Sequence, residues 1–297
     1  MHIDPALLGF VSDLWNSTIG GLWDNTDTLR TQYFDFNILT DNDWENAKGV
    51  LEGFWETIQL SVISGVLALA WGLVLAVLRQ LPGRALAPVR GLAIAYIDVF
   101  RGIPLLLVLL LVSGSLGALA FEGVIPESIG IPRWFGKTDP FWYGIIALTI
   151  TYGAYMAEVY RAGIEAVPSG QMEAARSLGM SHGQSMRHVI VPQAVRKVIP
   201  PLLNDFIALM KDTSLVSVIG FVEVVQFGRD VQSETFNSTA LTFGALLFLL
   251  VTIPLARLVD MLIARQQQQT SRSGGGSAVA EPAPGGAAGT GQTGGPV

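Results

Sequence analysis

No cysteine occurs in this sequence, which excludes a disulfide framework, a thiol nucleophile and any cysteine metal site. Histidine is nearly absent too. His2, His182 and His188 are the three present, and none has the spacing of a metal-binding HExxH helix. Charge is also scarce. Asp, Glu, Lys and Arg make up 14% of the 297 residues, against about 25% in soluble domains. The formal net charge of -6 offers no basic footprint for a nucleic acid. The start lacks a basic segment ahead of an apolar one, so no cleavable signal is expected. No internal repeat is visible, so the sequence mark of an inverted-repeat carrier is missing.

What the chain does have is long apolar runs. Residues 57–78, 102–121, 141–157 and 236–255 are each close to the length that crosses about 30 Å of hydrocarbon. A further run, 198–222, is apolar but interrupted by Asp205, Lys211 and Asp212. It is expected to span inside a bundle, because charges at membrane depth need protein or water around them. The expectation is an all-α polytopic bundle of about five transmembrane helices, with spans near 55–79, 91–121, 141–163, 198–222 and 237–262. Residues 1–49 are mixed and acid-rich and form an expected extracytoplasmic segment. The transmembrane domain covers 50–265. From 266 the chain turns to Gln, Ser, Gly, Ala and Pro without periodicity, the composition of a disordered tail. Arg79, Arg84 and Arg90 follow the first span, and Arg176, Arg187, Arg196 and Lys197 follow the third. The positive-inside rule puts both groups, and the C-terminus, in the cytoplasm, with the N-terminus outside.

Between the third and fourth spans lies a polar segment, 168–192. Ser169 reads as an N-cap before 171–178, and Gly179 as a left-handed stop. Ser181 with Gln184 is a capping-box pattern for a second short helix that ends near Pro192. Met172, Ala175 and Leu178 fall on one face of the first helix, and Met186, Val189 and Ile190 on one face of the second. Helices this short are unstable alone in water, so each needs a surface to cover it, whether a partner, the bundle's own underside or the bilayer.

The stretch "GQMEAARSLGMS" followed by "VIVPQAVRKVIPPLLNDFIALMKDTSL" resembles the cytoplasmic EAA-loop region of permease subunits in ABC importers, specifically the polar amino-acid class (glutamine, glutamate, histidine and arginine). "VFRGIPLLL" at 99–107 and "YGAYMAEVYRAGIEAVPSGQ" at 152–171 match the same pattern. The likeness runs from about residue 53 to 264 and leaves out 1–49 and the tail. It implies a subunit without catalytic residues or cofactor, whose loop docks on cytoplasmic ABC ATPase subunits. It also implies an extracytoplasmic amino-acid-binding protein and a second permease chain, identical or related, that completes the path. Glu173, Ala174 and Gly179 are the positions at which the loop would couple to the ATPase. Alternating access would carry a polar amino acid inward.

Other residues invite a chemical reading. Arg101 sits deep in the second span and Lys211, with Asp212 and Thr213, at comparable depth in the fourth. Charges there are functional candidates, and the resemblance places these residues in "FRG" and "KDTSL"; a purely structural role in neutralising neighbours is the competing reading. Glu158 and Arg161 are three apart on one face and belong either to a structural ion pair or to a gate. "GIPRWFGKT" at 130–138 imitates a phosphate loop but has five residues where four are needed, with Pro132 and Trp134 among them. ATP chemistry is therefore expected on another chain. A self-sufficient carrier or channel is the alternative. It would show paired membrane carboxylates or repeated halves, and neither is evident.

Overall fold

In the computed structural model the residues described are 26–40, 45–81 and 83–274, with side chains through 266. Every regular element among them is helical. α1 (Thr26–Phe34) and α2 (Asn37–Thr40) precede α3 (Glu45–Arg79). α4 (Ala87–Gly102) and α5 (Leu105–Phe121) follow, then the single turn α6 (Glu127–Gly130) and a 3-10 turn at Trp134–Gly136. α7 (Asp139–Glu165) leads to the short α8 (Ser169–Ser177) and α9 (His182–Ser185). A π-helical turn (Met186–Ile190) runs directly into α10 (Val191–Asp212), which tightens into a 3-10 continuation (Thr213–Ile219). α11 (Val224–Thr235) and α12 (Thr239–Gly274) complete the described chain.

Among the described residues, α3 and α12 are long and apolar enough to cross a membrane unaided, and the bent pair α4–α5 makes a third crossing by length and composition. α7 and α10 carry too many polar groups to pass that test. Packing holds them inside the bundle: α7 is the hub, in contact with α3, α4, α5 and α10. Its face of Phe141, Ile145, Leu148, Tyr152 and Met156 is buried against Leu60 and Ala68 of α3, Leu109 of α5 and Leu209 of α10.

The expected span at 91–121 is two helices, bent by 108° at the break. Pro104 explains the break. The residue before a proline is forced out of the helical region, and Ile103 has φ -92 and ψ 131, while Pro104 is the N-cap of α5. The expected span at 198–222 differs as well: α10 starts at Val191 and gives way to the 3-10 continuation after Asp212. Nor does the second loop helix end near Pro192. A proline in a helix's first turn has no N–H that is missed there. Its ring would press on the carbonyl four residues back, and the chain widens into the π-turn just ahead of it. Ser169 is not a cap; Pro168 holds that position with no side-chain bond, and Ser169 is the first residue of α8. α12 continues through the first residues of the expected tail, to Gly274. Residues 275–297, like 1–25 of the N-terminal segment, lie outside the described residues.

At about 52 Å by 1.5 Å per residue, α3 is longer than the hydrocarbon is thick. Its first turns meet α11 and α12, with Gly49 under Phe227 and Gly53 under the backbone of Glu223 and Val224. Glu223, outside the spanning helices, is fully buried and caps α11. Its carboxylate accepts the Gln226 amide at 3.0 Å and the Thr57 hydroxyl at 3.4 Å. Burial pushes its pKa up to about 7, although the amides of Val225 and Gln226, the Thr57 hydroxyl and Arg229 pull the other way. Two turns before the end of α3, Gly72 allows α3 and α7 to touch: a Cβ there would lie 2.8 Å from the Gly153 carbonyl oxygen and 2.9 Å from Met156 Cβ.

Two predictions follow from this packing. Gly72→Val should force α3 off α7 and cost roughly 1–3 kcal/mol, as overpacking does, while Gly114→Ala, which meets nothing within 4 Å, should be neutral. Thermal unfolding of the detergent-purified protein reads the difference, and equal midpoints would contradict the close contact. The second concerns Glu223. With its folded pKa raised, the native state holds the proton more tightly than the unfolded state. The contribution is then present at low pH and is lost as pH rises through about 7, at no more than roughly 1.4 kcal/mol per pH unit. Wild type should therefore lose stability between pH 5 and 8 relative to Glu223→Gln, and parallel curves would show that the carboxyl is not desolvated.

Candidate functional site

The break between α4 and α5 opens a cavity of about 430 Å3. Thr151 lies on its wall about 18 Å from the start of α7 at 1.5 Å per residue, near the middle of that helix. Arg101, Gly102, Ile103, Pro104 and Leu105 line one side. Thr151, Tyr152 and Tyr155 of α7 and Asp205, Ala208 and Asp212 of α10 line the other. Irregular backbone at membrane depth is tolerated where protein buries it or where it lines a water-filled space, and residues 102–104 line this cavity.

The polar groups of this wall divide into partnered and unpartnered. The Tyr152 hydroxyl donates to Asp212 Oδ2 at 2.8 Å. The Arg101 guanidinium stands 5.9 Å over the Tyr155 ring, and the Tyr155 hydroxyl is 3.4 Å from the Arg101 carbonyl oxygen. Thr151 is 2% exposed, and neither its hydroxyl nor Asp205 Oδ2 has a hydrogen-bond partner. Unpartnered buried groups cost about 1–3 kcal/mol each, so water or a polar ligand is the natural complement.

The five expected path residues do not gather. Arg101 and Asp212 line the cavity. Asp212 is engaged by Tyr152 rather than by its neighbour Lys211, which is exposed. Thr213 is fully buried and donates to the Met210 carbonyl at 2.7 Å, which is helix-internal work. Glu158 is elsewhere, in a cluster at the far ends of α3 and α7. It accepts Arg79 Nη1 at 2.6 Å and Arg161 Nε at 2.9 Å, and Arg161 also reaches Glu165. The i,i+3 pair therefore forms, with Arg79 of α3 as an additional partner. Asp205, Thr151, Tyr152 and Tyr155 were missed as site residues. Asp205 and Asp212 are seven apart, two turns on one face of α10, and that spacing was legible.

Past this cluster, α8 and the π-turn fold onto each other. Val167, Ile190 and Ala194 form a small core with Ile164, Met172, Met186 and Val189 around it. Leu178 does not share that face; it is 83% exposed. Glu173 and Ala174 are exposed too. Gly179 has φ +81, which glycine alone adopts without cost, and it turns the chain into Ser181. There the capping box is complete, with Ser181 and Gln184 each bonding the other's amide.

The family of binding-protein-dependent transport system inner membrane components matches residues 68–268. The chain belongs to that family. It is 35% identical over 226 residues to the probable glutamine ABC transporter permease protein GlnM of Bacillus subtilis, covering 76% of this chain and 96% of that one. It is 34% identical over 249 residues to the arginine transport system permease protein ArgU of Corynebacterium glutamicum, covering 83% and 72%. Its fold is similar to a crystal structure of an amino acid ABC transporter with histidines, at TM-score 0.64 and 32% identity, covering 74% of this chain and 94% of that one. As an inner membrane component, the chain is a multi-pass permease subunit of an ABC importer. It is not itself an enzyme: ATP hydrolysis belongs to separate subunits, and a second permease accompanies it. "GIPRWFGKT" is correspondingly no phosphate loop: it runs from the last residue of α6 through the 3-10 turn to Thr138, the N-cap of α7.

Proposed function

We propose that this permease moves polar amino acids into the cytoplasm, receiving them from an extracytoplasmic binding protein, and that residues 168–192 couple it to the ATPase. Under this reading residues 1–49 are the outer segment, 50–265 the permease proper, and the residues beyond a cytoplasmic tail. The N-terminus is outside and the C-terminus inside, because the basic residues after α3 and around α8 collect at one end. The relatives named for glutamine and arginine support the amino-acid class. One observation carries the coupling reading. Glu173 and Ala174, on a helix too short to stand alone, form an uncovered surface with Leu178 and Gly179 just past its end, while the helix's other face is buried on the bundle.

The cavity between α5, α7 and α10 is the solute path under this reading. Arg101 and the free amides at the start of α5 suit a carboxylate, and Asp205 with the Thr151 hydroxyl suits an ammonium group. Glu158 then holds α3 to α7 near the inner end, and Lys211 faces the second permease.

Coupling and path are separately testable. Gly179→Val places a β-branched residue at φ +81, and Glu173→Lys reverses a charge in the exposed face of α8. Both variants should assemble in the membrane yet lose uptake, with ATPase activity of the reconstituted complex no longer responding to loaded binding protein. Normal stimulation in both would remove the coupling role. For the path, Asp205→Asn and Arg101→Met should each lower uptake at least roughly ten-fold, the cost of about 1.4 kcal/mol of lost binding, while pull-down of the ATPase stays intact. Unchanged uptake in both would leave the cavity without a transport role.

A further inference from the structure

A second cavity, of about 490 Å3, lies beyond the Arg79–Glu158–Arg161 cluster and has a different character. It is a slot between the end of α3, the end of α7 and the start of α10, and no charged residue lines it. Leu73 and Val77 of α3 face Val191 and Val195 of α10 across it, and all four are exposed. Its polar lining groups are already engaged: Gln80 donates to the Ala76 carbonyl at 3.1 Å and Tyr160 to that of Leu69 at 3.3 Å. Nothing in the slot calls for a polar ligand.

The rim is the opposite. Leu81 closes the slot, and Arg90 Nη1 donates to its carbonyl at 2.7 Å and to that of Gly83 at 3.0 Å. This pins a guanidinium at the mouth with N–H groups to spare. Arg187 follows the lining residue Met186 and is exposed, as is Arg84. Among the described residues none of these three arginines pairs with a carboxylate, whereas Arg79 and Arg161 in the neighbouring cluster do. The slot also sits where the apolar run of α3 ends, the level of the hydrocarbon boundary.

We propose that this slot holds one acyl chain of an anionic glycerophospholipid, with its phosphate between Arg90 and Arg187. An apolar cleft of ligand size beneath uncompensated arginines at the membrane boundary fits a headgroup of opposite charge, and the charge complementarity favours this occupant over the apolar face of another chain. The site is tied to the loop through one residue. Met186 lines the slot and also packs in the core that holds α8, so a bound chain props the loop from beneath.

The test uses the permease–ATPase complex in nanodiscs of equal phosphatidylglycerol and phosphatidylcholine, followed by native mass spectrometry of lipids retained after release. Wild type should retain phosphatidylglycerol preferentially, with each arginine contributing roughly a five-fold preference. Arg90→Gln with Arg187→Gln should reduce retention toward that of phosphatidylcholine, and Val195→Trp, which fills the slot, should abolish retention of either. Three results would overturn the proposal: equal retention of both lipids by wild type, unchanged preference in either variant, or a cysteine at Val77 cross-linking to a second permease chain. None of these outcomes depends on which solute is carried.

Discussion

Backbone polar groups at membrane depth have no water to bond, and that constraint governs this fold. A helix satisfies them internally; any interruption must be paid for by protein or by a hydrated cavity. The chain bends sharply within a crossing at Ile103–Pro104, and the polar cavity opens at that point. Proline removes the choice of a straight helix there. The right-angled turn between α4 and α5 then leaves Arg101 at the end of one helix and the first amides of α5 facing the same space. The cavity is thus a consequence of one residue's backbone chemistry, completed by polar side chains that α7 and α10 bring opposite.

That completion depends on α7 being held in place. Gly72 and Gly153 let α3 and α7 approach until backbone meets side chain, and the buried row on α7 from Phe141 to Met156 fills the rest. With this contact fixed, Thr151 and Tyr152 point toward α10 near the middle of the helix, and Glu158 lands beside Arg79 near its end. One helix therefore serves two regions of different polarity. Its central part carries unpartnered groups, and its end carries a carboxylate saturated by two arginines. The loop that follows rests on this end through Val167, so it contacts a well-bonded part of α7 rather than the cavity.

The apolar runs, the capping box at Ser181 and the turn at Gly179 were legible because each depends on local chemistry: transfer from water, one reciprocal pair of hydrogen bonds, one φ angle. The 108° bend was not legible, since a proline ends the helix before it without fixing the direction of the next one. The grouping of Arg101 with Asp205 was invisible because it is made across two helices 104 positions apart in sequence number. Leu178 illustrates the opposite error. Periodicity placed it with Met172 and Ala175, but α8 ends at Ser177, and beyond a helix end the period no longer applies. Thr213 was selected with its neighbours Lys211 and Asp212, although the onset of the 3-10 turn rotates it into the core.

Lys211 carries the argument beyond the single chain. It adjoins Asp212, which is bonded to Tyr152 in the middle of α7, so it lies at the level of the cavity. It is exposed, and among the described residues it pairs with no carboxylate. A lysine at that depth cannot face acyl chains without snorkelling or a partner. Asn204, seven positions earlier and therefore on the same face of α10, is exposed as well. A stripe carrying both an amide and an ammonium group is unsuited to lipid, while the exposed leucines of α12 suit it well. The two surfaces divide the bundle into a side that tolerates hydrocarbon and a side that requires water or protein. One subunit therefore builds only part of its own wall, as membership in a family of paired permeases leads one to expect.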